Sequence, residues 1–485
     1  MSASPAAPSA QFKGDARVTS ADIPRRAFIR KALSGYFVKR AAGQDYFQDW
    51  QAARQAASEI KYEAVNSLDE RLLEFTRHAE ARGTKVFYAS TSEQARAYIT
   101  ALCVEKGVRS IVKSKAMTGE EIHLNEALEG AGFRVVESDL GEYIVQLRKE
   151  PPYHFVFPCM HLKRDEISAL FEKELGTAPT DSPEELTMIA RRVLRQEYVR
   201  ADLGISGANF IVADSGMISI TENEGNARLT CALPKIHVAL VGIEKVVPRL
   251  ADLALFLPML GTAGAGQTMT GYNSMYGGPR QPGEIDGPDE FHVVLLDNHR
   301  TRLLADAEQR DALHCIRCGA CLNVCPIFKN VGGHTYGTTY QGPIGSVITP
   351  HLRGLQDWKH LSAASSLCGA CTETCPVKID LHHHLLQNRR NAVAQKPVWW
   401  EKLLFTGFVF VMNRPWIYRL SGKFAPLGLW LQSFVKGSVL DPARAWTKTR
   451  DLPPAPAQTF KEAWAARERE KQVCGAGCGC HGGKP

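Results

Sequence analysis

The sequence predicts an α/β domain followed by an all-α, cysteine-rich domain and a helical C-terminal tail. Three observations carry this expectation. Between residues 85 and 150, short apolar stretches alternate with helical patterns of roughly 10–15 residues, as in parallel βαβ units. Near residue 301 the strand-like stretches give way to helix formers, glycines and cysteines. After about residue 390 the chain is rich in Trp, Phe, Leu and Arg, and it turns proline-rich at 453–456.

Residues 1–22 are rich in Ala, Ser and Pro without periodicity, which predicts a disordered leader. From Phe28 to Ala81 apolar residues recur at helical spacing (Phe28, Leu33, Phe37; Leu68, Leu72, Phe75), a helical lead-in. Strands are expected at Lys85–Tyr88, Ser110–Val112, Val135–Glu137 and Tyr143–Leu147, with helices over Glu93–Lys106 and Glu120–Ala131 between them. Further strands are expected at Phe210–Ala213, Met217–Ile220, Val238–Val241 and Val293–Leu296, after a helical stretch over Pro183–Leu203. Short connections favour one sheet for all these pieces. The resulting division is 1–69 leader and lead-in, 70–300 α/β domain, 301–392 cysteine-rich helical domain, and 393–485 C-terminal docking region.

Composition narrows the class. A chain of 485 residues with 44% hydrophobic content can bury a full core. The net charge of +7 is spread along the chain, too weak a bias to argue for nucleic acid. Residues 25–31 (Arg-Arg-Ala-Phe-Ile-Arg-Lys) superficially match a twin-arginine signal, but Lys39 and Arg40 interrupt the apolar stretch that should follow. A basic amphipathic helix is the preferred reading. The best apolar window, Leu403–Met412, falls far short of the ~18 residues of a membrane span. A cytoplasmic protein, peripheral at most to the inner membrane face, is expected.

Seven of the thirteen cysteines fall in two compact runs, which argues for a reducing compartment and a metal function rather than disulfides. The first run is Cys315-x2-Cys318-x2-Cys321-x3-Cys325-Pro326, the spacing of bacterial ferredoxins, in which the fourth cysteine ligates the other cluster. Zinc favours separated Cys-x2-Cys pairs and fits a packed run of four poorly. The second run, Cys368-x2-Cys371-x3-Cys375-Pro376, repeats the last three positions, with Ser365 where the first cysteine would stand. Crossed ligation then gives Cys315, Cys318, Cys321 and Cys375 to one 4Fe-4S cluster, and Cys325, Cys368 and Cys371 to a second. The fourth site of the second is open between Ser365, water, another residue and a 3Fe-4S cluster lacking one iron. A coupled pair of clusters is suited to moving electrons.

Other candidates weigh less. Cys474, Cys478, Cys480 and His481 could bind a metal, although an unstructured tail is favoured. Cys103, Cys159 and Cys231 read as buried packing residues, and His382–His384 as a solvated helix face, with cluster ligation the sharper alternative. Ser114, Lys115, Thr118 and Glu121 fall where a strand ends and a helix begins, where open α/β sheets bind ligands. Asn209, Asp214, Glu222, Asn223 and Asn226 add polar groups beside short strands. Singly these read as caps and turns; together they form a pocket candidate.

The stretches CIRCGACLNVCP at 315–326, GGHTYGTTYQGPIG at 332–345 and SSLCGACTETCPVKI at 365–379 resemble the LutB/LldF family, the iron–sulfur subunit of the three-part bacterial L-lactate utilisation system. The α/β half is similar too, through VKSKAMTGEEIHLNEAL at 112–128, SDLGEYIVQL at 138–147, GISGANFIVADSG at 204–216 and HVALVGIEKVVP at 237–248. The resemblance runs from about residue 30 to 450. It implies a LUD-type domain, of the CoA-transferase and isomerase-like α/β kind, fused to a helical ferredoxin-like module carrying two 4Fe-4S clusters. It also implies a cysteine-rich type A partner, a second LUD protein of type C, and an electron-transfer role in oxidising L-lactate to pyruvate, with a quinone-linked or membrane acceptor beyond. No nucleotide fingerprint, flavin signature or nucleophile–base pair stands out, so the catalytic residues are left unknown. Three alternatives compete: a LUD domain that itself oxidises lactate, a cluster-stabilised scaffold, and a related 2-hydroxyacid system, which the LUD half argues against.

Overall fold

Ten strands in two sheets build the α/β part among the described residues, which are 7–475 apart from 449 and 455 of this computed structural model. In chain order they are β1 (Lys85–Ala89), β2 (Ser110–Lys113), β3 (Arg134–Glu137), β4 (Leu203–Ser206), β5 (Phe210–Val212), β6 (Met217–Glu222), β7 (Ile236–Gly242), β8 (Val246–Val247), β9 (Tyr272–Tyr276) and β10 (Glu290–Leu296). The larger sheet is wholly parallel, in the order β1-β10-β7-β4-β2-β3. Its central strand β7 is buried at every residue, which a near-continuous apolar run allows when helices cover both faces. From β2 the chain moves outward to β3 and then returns to β4 on the other side. The gap between β2 and β4 is therefore a topological switch point, where a crevice opens at the carboxyl ends of the strands.

A second sheet, β8-β5-β6-β9, corrects the expectation of a single one. β5 and β6 pair antiparallel across a tight turn, with Val212 opposite Met217, so they fold away from the parallel sheet. Tyr143–Leu147, expected as a strand, lies in the helix Leu140–Arg148. Its start is fixed by Asp139, whose carboxylate accepts the Glu142 N–H at 3.1 Å. The helical stretch before β4 ends at Arg200, and Leu203 already belongs to the sheet.

The leader is corrected as well. Residues Pro8–Ala21 form a helix, with Phe12 buried edge-on against Tyr336. The 70–300 and 301–392 segments share one apolar core that includes Phe210, Phe256, Leu322, Phe328 and Ile344. All of this lies in a first compact unit, Met1–Gln395.

The second unit, Lys396–Pro485, is helical where described: Trp399–Met412, Pro415–Val435, Arg444–Thr447 and Phe460–Gly475. Neither of its first two helices buries a residue. No helix among the described residues is long and apolar enough to cross a membrane. Cys478, Cys480 and His481, and the side chain of Cys474, lie outside the described residues.

Candidate iron–sulfur centres and the adjoining cavity

The two cysteine runs adopt the same backbone, offset by fifty residues. Arg317 and Leu367 both take a left-handed conformation (φ 59° and 54°), as do Gly319 and Gly369 (78° and 80°). A short helix follows each, Ala320–Val324 and Ala370–Thr374, and the two pack together. Cys325 and Cys375 then turn extended, at φ/ψ −66°/120° and −64°/120°, ahead of their prolines. Gly319 is needed twice over. Its φ is positive, and a Cβ there would lie 2.9 Å from Val156 and 3.0 Å from His154.

Sulfurs from the two runs interleave. The Cys375 thiol, raised chiefly by burial, is raised further by the charges of Cys318 and Cys315, which lie beside it. Burial also pushes Cys318 up to about 12, with Cys315 close by, and lifts Cys321 well above the usual thiol range. Cys371, pushed up to about 11 by burial, feels Cys325 and Cys368 instead. Cys325 in turn feels Cys368. Cys321 feels Cys371 as well as Cys315 and Cys318, so the sulfurs of both runs lie in one region. All seven are free of disulfides.

Ser365 occupies the place in the second run that Cys315 has in the first. The Arg317 N–H donates to Cys315 Sγ at 3.4 Å, and the Leu367 N–H donates to Ser365 Oγ at 3.2 Å. The histidines expected on a solvated face divide. His383 is exposed and pairs with Asp380, whereas His384 is buried against Asp311 at 2.6 Å and His382 bonds Thr372 at 2.8 Å. Cys103 and Cys231 are buried as expected, and Cys159 is half-buried.

A buried ionic chain ties the first run to the α/β part. Arg317 Nη2 reaches Glu244 at 3.1 Å, Glu244 takes the Arg300 guanidinium at 2.5 Å, and Arg300 clasps Glu121 at 2.7 and 2.9 Å. Tyr340 donates its hydroxyl to Glu121 and lies under Arg317, 4.5 Å from ring centre to guanidinium. The flanking arginines hold Glu244 down to about 2 against the opposing effect of burial. Lys61, on a lead-in helix, donates to the backbone oxygens of Glu244 and Val246.

Beside this chain lies a cavity of about 840 Å³, open at the switch point. Ser114, Lys115 and Ala116 after β2 form one lip, and Gly207, Ala208 and Asn209 after β4 the other. Of the residues expected at a pocket, Ser114, Lys115, Thr118, Asn209, Glu222, Asn223 and Asn226 line it. Glu121 is instead committed to Arg300, and Asp214 caps the Leu250 N–H. Asp139, Glu224, Lys245, Arg317 and Cys318, which also line it, went unnoticed, because only the folded chain brings 139, 245 and 318 to one wall.

The comparisons agree with this architecture. Residues 72–296 match the LUD domain, 311–379 the 4Fe-4S dicluster domain, and 381–469 the "Lactate utilisation protein B, C-terminal" family. The chain is similar to "Lactate utilization protein B" of Oceanobacillus iheyensis, at 43% identity over 92% of this chain and 95% of that protein. The namesakes in Shouchella clausii and Bacillus velezensis are 42% and 41% identical, over 91% and 92% of this chain and 95% of each. A LUD domain, a 4Fe-4S dicluster domain and this C-terminal region, in that order, place the chain in the lactate utilisation protein B family.

Proposed function

We propose that the chain is the iron–sulfur electron-transfer subunit of a multi-protein complex that oxidises L-lactate to pyruvate, passing the electrons towards the respiratory chain. One observation carries this reading: thiols of two runs far apart in sequence lie among one another, Cys375 beside Cys318 and Cys315, and Cys371 beside Cys325. Cys315, Cys318, Cys321 and Cys375 would hold one 4Fe-4S cluster. Cys325, Cys368 and Cys371 would hold three corners of a second, with Ser365 Oγ at the fourth. Bound there, clusters supply one-electron carriers.

The protein's own part is electrostatic. Buried thiols with raised pKa values keep their protons until a metal displaces them, so loading releases protons and stabilises the fold. Arg317, Lys245 and Lys61 stand close to Cys315 and offset the negative charge that thiolates bring.

The partners that fit this role are the cysteine-rich type A and LUD-type C subunits. Peripheral contact with the inner face of the membrane is part of the proposal. Between 396 and 448, Lys396, Lys402, Arg414, Arg419, Lys423, Lys436, Arg444 and Lys448 face only Glu401 and Asp441 in sign, amid exposed Trp399, Phe405, Phe408 and Trp416.

A second reading has the LUD domain oxidising lactate itself; the cavity wall at Cys318 favours it. Anaerobic mixing with L-lactate, followed by electron paramagnetic resonance, separates the two. Reduction only when both partner subunits are present is expected; reduction of the isolated chain would transfer the chemistry to this subunit.

A further inference from the structure

The cavity at the switch point is built for something larger than a three-carbon acid. Its 840 Å³ lies in the range of cofactor-sized sites, and lactate would leave most of it empty. Its walls are mainly apolar, with Phe28, Leu33, Ile144, Phe155, Phe157 and Leu186 among them.

The acidic and basic groups that line it differ in how they are satisfied. The acidic ones are already satisfied: Asp139 pairs with Lys115 at 3.2 Å, Glu224 accepts the Leu140 N–H at 3.0 Å, and Glu222 accepts the Ala227 N–H at 2.7 Å. Of the basic ones, Lys115 is held by Asp139, whereas Arg317 is only partly satisfied. Arg317, its side chain only 7% exposed, has Nη1 without a partner. Lys245, 8% exposed, lines the same wall close to Arg317 and Glu244. A buried donor left unpaired is costly, so Arg317 Nη1, with the Lys245 ammonium close by, points to an acceptor that arrives from outside. Cys318 forms part of the same wall.

We propose that this cavity binds a planar, redox-active ring bearing carbonyl oxygens, of quinone or flavin chemistry, with those oxygens held by Lys245 and Arg317 and the apolar body lying along Phe155 and Phe28. The proposal rests on the electron-transfer reading above, since only a cluster held partly by Cys318 gives the ring a redox partner. With clusters bound, they would supply the two electrons and solvent the two protons that reduce such a ring, while Lys245 and Arg317 would hold its oxygens.

The test uses the full-length, anaerobically purified protein, with iron and sulfide measured first. Menadione and FMN are titrated separately, followed by calorimetry and by ligand absorbance; L-lactate is titrated as a third arm. One ring compound is expected to bind at one site per chain with micromolar affinity and, added to reduced protein, to oxidise it one ring per chain. Which compound binds identifies the ring as a diffusible quinone or a resident flavin. Lys245→Met is expected to weaken binding at least tenfold, compared at equal measured iron and sulfide content. Ala32→Trp, at an exposed position lining the cavity, is expected to do the same. Binding of neither ring, binding that neither substitution alters, or tight Lys245-dependent binding of lactate instead would overturn the proposal. Protein without iron and sulfide that still binds the ring at this site would refute the electron-transfer reading while leaving the ring site standing.

Discussion

His237 illustrates how single residues were fixed by a fold that the sequence only partly discloses. It stands on the fully buried strand β7, stacks on Phe291 at 4.6 Å between ring centres, and shares a 2.7 Å hydrogen bond with Ser206. Burial, with His292 nearby, brings its pKa down to about 3, so the folded protein holds it neutral. The unfolded chain takes up its proton near pH 6.5, whereas the folded chain does so only near 3. This contribution is therefore complete above about pH 6.5 and is lost as pH falls towards 3. Replacing His237 with Gln is expected to flatten the dependence of unfolding free energy on pH between 6 and 4, by up to about 1.4 kcal/mol per pH unit. Urea unfolding across that range measures it; an unchanged slope would mean that His237 titrates normally. At the same scale, the seven cysteines and Ser365 stand out in the sequence as ligand candidates because their spacing is local. Lys245 and Arg317 were not singled out, since nothing near 245 in the chain announces that it will face 317.

Among the elements, those with a strong period or a continuous apolar run were read correctly: β1, β2, β3 and the core of β7 stand within a few residues of expectation. The failures have a common cause. Tyr143–Leu147 alternates weakly, and the cap at Asp139 decided for helix. The strands β4, β8 and β9 are short or half-polar, and their pairing depends on partners far away in sequence. The leader forms a helix although its composition carries no periodicity, because Phe12 finds a pocket against Tyr336 and His360. The helices Trp399–Met412 and Pro415–Val435 were expected as a docking region and bury nothing within their own chain. Exposed aromatics in such density, with an excess of positive charge, suit an anionic lipid surface. Full-length protein is expected to float with vesicles containing anionic lipid and to lose this when truncated after Gln395, with iron content retained. Equal flotation of both forms would remove these helices from the membrane contact.

The molecule as a whole brings together segments that the sequence keeps apart. The helical lead-in reaches the backbone oxygen of Glu244 through Lys61, the first cysteine run reaches the carboxylate of the same residue through Arg317, and the α/β part closes the chain through Arg300 and Glu121. Breaking one member of a buried set of this kind typically costs roughly 3–5 kcal/mol. The same closeness sets Cys375 beside Cys318 and Cys368 beside Cys325. Mössbauer and electron paramagnetic resonance spectra of anaerobically purified wild type, Cys325→Ala and Cys375→Ala test this arrangement most directly. Wild type is expected to hold roughly seven to eight irons with matching sulfide. Cys325→Ala should lose the cluster held by Cys368 and Cys371 and keep the one at Cys315, and Cys375→Ala should do the reverse. Loss of the Cys315 cluster in Cys325→Ala with the other retained, or stoichiometric zinc without sulfide in the wild type, would contradict it.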